Sequence, residues 1–73
     1  MNMNRDKINK VKSDYPKGTE VILVRMDDKQ APPVGTKGVV RLVDDMGTIH
    51  VNWETGSTLG VVLDIDIVEK IVK

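Results

Sequence analysis

His50 is the only histidine in this 73-residue chain, so acid–base chemistry must be sought there first. It stands in Thr48-Ile49-His50-Val51-Asn52-Trp53, where apolar Ile49, Val51 and Trp53 alternate with polar Thr48, His50 and Asn52. That period of two marks a strand with one core face and one wet face, and parity sends His50 to the wet one. No neighbouring sequence feature supplies an orienting base or a nucleophile. His50 therefore reads as an exposed cross-strand partner rather than a catalytic group. Ser13 and Ser57 lie in turn-like sequence with no motif for an oxyanion site, which argues against a hydrolase.

Carboxylate pairs are the next candidates, because Asp27-Asp28, Asp44-Asp45 and Asp64-x-Asp66 could hold a hard cation through oxygen. Each falls in a loop, where Asp is favoured for bonding its own backbone, and none has EF-hand spacing; the turn reading is preferred. Gly35-Thr36-Lys37-Gly38 is too short to form a phosphate loop. With no Cys, thiolate metal sites, disulfides and Cys nucleophiles are excluded together. Neither a cofactor nor a metal is expected, and the chain reads as no enzyme.

Binding chemistry is equally constrained. Pro32-Pro33 lacks a PxxP context and reads as a rigid loop element rather than an SH3 or WW ligand. Tyr15 and Trp53 are the only aromatics, too few for a proline-rich peptide groove or a methyl-lysine cage. Trp53 has core parity yet ends its strand, which favours a core or mouth-plug role over a ligand platform. The net charge is zero, but residues 1–17 carry Arg5, Lys7, Lys10, Lys12 and Lys17 against Asp6 and Asp14. The remaining residues hold six basic groups against nine acidic ones. A basic arm is thus joined to an acidic body.

The elements that position these residues follow from composition and turn chemistry. Twelve Val and six Ile against four Leu and one Ala favour strands, since β-branched side chains pack well on a pleated surface. Residues 4–13 form the single candidate helix, with Asn2 or Asn4 as N-cap and Ile8, Val11 and Tyr15 on one side. Pro16 ends it and starts a turn that closes at Gly18. Strands are expected at 20–26, 37–43, 48–53, 58–62 and 67–72, with a long loop over 27–36. Gly38 marks a bulge or close approach, and Asp44-Asp45-Met46-Gly47 is a hairpin turn with Gly47 left-handed. Five short strands joined by tight turns describe a bent antiparallel sheet that closes into a barrel.

The string Tyr15-Pro16-x-Gly18-Thr19, Leu23-Val24-Arg25-Met26, Ala31-Pro32-Pro33-x-Gly35-Thr36-x-Gly38, Val43-Asp44-Asp45-x-Gly47-Thr48-Ile49-His50-Val51-x-Trp53 and Gly56-Ser57-x-Leu59-Gly60 resembles a family of small uncharacterised domains, a domain-of-unknown-function family of Firmicutes and their phages and conjugative elements. The resemblance spans roughly residues 13–71 and departs near Asp64, where the family usually has glycine. It implies a mainly β fold: a small five-stranded SH3-like barrel at 18–73, preceded by a short basic helix or arm at 1–17. More distantly, the glycine rhythm is similar to that of KOW domains, a likeness that carries architecture and not function.

Two function classes remain. One is a non-enzymatic protein-binding or adaptor module, encoded by a phage or mobile element and regulating a host or element protein. Its candidate surface comprises Asp27, Asp28, Pro32, Pro33, His50, Asn52 and Trp53. The alternative is a nucleic-acid-binding barrel whose arm, Arg5, Lys7, Lys10, Lys12 and Lys17, neutralises phosphates; the acidic body and scarce aromatics disfavour it. No apolar run resembles a signal peptide or approaches the roughly 18 residues of a membrane span, and the absence of Cys fits a reducing compartment. A cytoplasmic protein without membrane contact is expected.

Overall fold

A computed structural model of the chain describes residues 5–62 and 65–71. The helix α1 spans Arg5–Asp14, one residue later than expected at its end, and the Asn2 and Asn4 caps lie outside the described residues. Asp6 in its first turn and Lys12 in its last complement the helix dipole. Val11 is its one buried residue, and Tyr15 packs on the same cluster from just beyond the helix end. The Tyr15 N–H still donates to the Val11 carbonyl at 2.9 Å, and Pro16 then stops the helix. The turn that follows is closed by Thr19, whose N–H and hydroxyl both donate to the Pro16 carbonyl.

Four antiparallel strands follow: β1 (Glu20–Arg25), β2 (Lys37–Val43), β3 (Ile49–Trp53) and β4 (Ile67–Lys70). They form one open sheet in the order β3-β2-β1-β4. Alternation decides which face is core. Val21 and Leu23 of β1, Val40 of β2, Ile49, Val51 and Trp53 of β3, and Val68 of β4 turn inward and join Val11 and Val61 in a single cluster. Six of these side chains are essentially inaccessible, and β-branched Val and Ile supply most of them. Gly38 sits inside this packing for a steric reason: a Cβ there would stand 2.4 Å from Val51 Cγ1 and 2.8 Å from Trp53 Cε3.

The expectation of a fifth strand at 58–62 is not met among the described residues. That segment reaches β3 through one bridge, Ile49–Val61, whose two N–H···O bonds measure 3.0 and 2.7 Å. The cause is local competition by side chains. The Leu59 carbonyl accepts the Trp53 indole N–H at 2.9 Å, and the Leu59 N–H donates to Ser57 Oγ at 3.3 Å, so side chains engage both Leu59 backbone groups. The last strand ends at Lys70 rather than 72, and Asp64 and Val72 lie outside the described residues.

Candidate functional site

The β2–β3 turn is organised by one carboxylate. Asp44 Oδ1 accepts the N–H groups of Met46 at 2.9 Å and Thr48 at 3.0 Å, while Oδ2 lies 2.9 Å from His50 Nε2. Gly47, at φ 85°, adopts the left-handed conformation its position was expected to need and donates to the Asp44 carbonyl. The hydrogen bond from His50, joined by those from Thr48 and Met46, holds the Asp44 carboxyl below the usual carboxylate range against a smaller opposing push from burial. His50 therefore does have a carboxylate partner, which its strand parity did not reveal.

The pairing follows from register. His50 stands opposite Leu42, beyond a bulge between Val40 and Leu42, and Asp44 lies two residues past Leu42 on the same face. Residues diagonal across a hairpin on one face are within reach of long or aromatic side chains, so drawing the hairpin with its turn would have exposed the pair. The imidazole Nδ1 faces Gly60, where a Cβ would come within 3.9 Å. No group of three or more His, Cys, Asp or Glu able to hold a metal occurs among the described residues. The arrangement ties a strand to its turn.

The other predicted surface residues are scattered. Asp27, Asp28 and Pro33 are exposed on the β1–β2 loop, whereas Pro32 is buried. Asp28 uses its carboxylate locally, accepting the Gln30 N–H at 2.8 Å. Trp53 is 3% exposed and belongs to the core, with its indole N–H satisfied by Leu59. Asn52 is exposed on the opposite face of β3. The loop and the outer face of β3 are thus separate surfaces.

Asp66 is the residue whose importance the sequence hid. It is 8% exposed, and its two oxygens accept the Asp27 N–H at 3.1 Å and the Val62 N–H at 3.0 Å. The carboxylate staples the β1–β2 loop to the segment before β4. The basic residues Arg5, Lys7, Lys10, Lys12 and Lys17 are all exposed, and Lys12 pairs with Asp45 at 2.9 Å, linking α1 to the hairpin turn. Lys70 makes a second link, donating to the Asp14 carbonyl at 3.1 Å with its ammonium 5.3 Å from the centre of the Tyr15 ring.

A single helix docked on a small antiparallel sheet, with side-chain staples in its turns, defines the class among the described residues: a small, mainly β domain. The chain belongs to the family described as Domain of unknown function (DUF4314), whose model matches residues 4–71. No curated protein and no solved structure matches it. Among the described residues, no helix is long and apolar enough to cross a membrane.

Proposed function

We propose that this domain is a non-enzymatic binding module that docks on another protein, encoded on phages or other mobile elements of Firmicutes and regulating a host or element protein in the cytoplasm. The supporting observation is the outer face of the sheet. Val24 (37%), Val39 (43%), Leu42 (49%) and Ile67 (48%) remain open to solvent on three strands, Leu42 turned outward by the bulge between Val40 and Leu42. Apolar surface gathered on one sheet face marks an interaction site more often than scattered single residues do. The architecture proposed for it is SH3-like, with the 58–62 segment lying outside β3 and joined to it by the single Ile49–Val61 bridge. The test is affinity capture with the tagged full chain in lysates of several hosts. A specific protein that is retained by the wild type and lost with Leu42→Lys supports the reading; recovering none in any host sinks it.

Nucleic-acid binding through the arm is the second reading, supported by the exposure of Arg5 and Lys10 on a helix whose only buried residue is Val11, and of Lys17 in the turn that follows it. Its electrostatic affinity would fall steeply with salt. A mobility shift of DNA or RNA at low salt, abolished by Arg5→Ala with Lys10→Ala, supports it, and no shift removes it.

A further inference from the structure

We infer that the concavity between α1 and the β2–β3 turn is a seat for a phosphate group. A small phosphorylated molecule and a nucleic-acid backbone present that same group, so the site goes beyond the nucleic-acid reading and does not depend on it. Helical spacing assembles one wall. Arg5, Ile8, Asn9 and Lys12 follow the spacing that places residues on a single strip of a helix, three and four positions apart. Asp45 of the turn supplies the opposite wall, and its carboxylate meets Lys12 Nζ at 2.9 Å. These five residues line a space of about 500 Å³, within the range of small-molecule sites.

Unused donors gather in that lining. The side chains of Arg5 and Asn9 are exposed and make no hydrogen bond or ion pair among the described residues. Lys12 gives one N–H to Asp45, and an ammonium has two more. A guanidinium, an amide and an ammonium thus bring spare N–H groups to one space, where Asp45 is the only carboxylate. The charge count agrees. Lys12 and Asp45 cancel, Arg5 leaves the lining one unit positive, and the other carboxylates of α1, Asp6 and Asp14, are not part of it. That surplus is carried by a side chain with no ion pair of its own among the described residues. A phosphate suits this set better than a carboxylate, because its several oxygens accept from all three donors at once and a guanidinium meets them in pairs. Half-buried Ile8 is the apolar member of the lining, against which the rest of a ligand packs.

The test uses the full-length protein, isotopically labelled for amide NMR and titrated at constant ionic strength with inorganic phosphate, with acetate and with a single-stranded oligonucleotide. Phosphate is expected to shift the amides of Arg5, Ile8, Asn9, Lys12 and Asp45 saturably, and acetate much less. Arg5→Gln should weaken phosphate about fivefold, the size of one exposed charge contact. Asp45→Asn should strengthen it about twofold, since the one opposing charge is gone. Both positions are exposed, so the melting temperature should hold in each variant. The opposite signs separate charge recognition from a loss of fold, which would weaken both. No saturable shift with phosphate, an equal response to acetate, or a change of the same sign in both variants would overturn the seat. An oligonucleotide that shifts the same amides, and binds more weakly to Arg5→Gln, supports the seat and makes the phosphate that of a nucleic acid. One that shifts nothing while phosphate still binds supports a small ligand and removes the nucleic-acid reading alone. One that shifts only other amides, with inorganic phosphate silent, overturns the seat and leaves that reading standing.

Discussion

Asp44 shows how one side chain can fix a turn that the backbone alone would leave loose. Its carboxylate gathers two N–H groups and an imidazole, and its own N–H donates to the Thr48 carbonyl at 3.0 Å. Because these donors favour the ionised form, the folded-state pKa lies below the unfolded value of about 3.9. A depressed carboxylate stabilises the fold fully above the unfolded value. That contribution is lost as the pH falls through the folded one. Equilibrium denaturation is therefore expected to show stability declining below about pH 4 through this group, and Asp44→Asn should flatten that acid limb while lowering stability near neutrality by about 1 kcal/mol. An unchanged acid limb in the variant would refute the role. Asp66 makes the complementary case, since it is buried and accepts one backbone donor from the distant β1–β2 loop, Asp27, and one from its own turn, Val62. Asp66→Ala leaves both N–H groups without their acceptor, at a cost of about 2 kcal/mol, or a melting temperature lower by about 10 °C in a domain this size. A drop of less than about 3 °C would show that the staple is dispensable. Neither role was legible from single residues: Asp in a loop reads as a turn former, and the Asp66 partner at 27 comes from elsewhere in the chain.

At the scale of elements, legibility tracked alternation. β2 occupies residues 37–43 as expected, and Ile49, Val51 and Trp53 of β3 fall in the core where parity puts them, because a half-buried strand must alternate. The 58–62 segment carries comparable apolar content, yet its pairing is decided by the Trp53 indole and the Ser57 hydroxyl, which compete for the Leu59 backbone. Such competition is a three-dimensional fact that leaves no period in the sequence. Gly38 could be flagged from sequence as a bulge or close approach, and the close approach is what occurs, with no register shift at that position. Gly38→Ala would drive a methyl into Val51 and Trp53, neither of which can retreat within the core, at a cost of about 1–3 kcal/mol. Chemical denaturation followed by Trp53 fluorescence checks this; a stability equal to wild type would mean that β2 and β3 are more loosely packed than their spacing indicates.

For the molecule as a whole, the division into a basic arm and an acidic body bears on how it unfolds. An isolated helix as short as α1 is marginal in water, so it persists only if tertiary contacts hold it. Val11 shares the cluster that contains Val21, Val40 and Val61, and the Lys12–Asp45 and Lys70–Asp14 contacts add polar links on either side. The ion pair is exposed, with Asp45 97% open, and contributes little. The apolar contact must therefore carry the docking. If so, the helix and the sheet form one cooperative unit despite their opposite charge. Urea unfolding followed by far-ultraviolet circular dichroism, which senses the helix, should coincide with the transition reported by Trp53 fluorescence in the sheet, with a single midpoint for both. Raising the salt concentration should leave that coincidence intact, since screening weakens Lys12–Asp45 and leaves Val11 in place. With Val11→Ala the helix signal should separate and be lost at lower urea. Separate transitions in the wild type would instead make α1 an appendage, held by charge and free to leave the sheet.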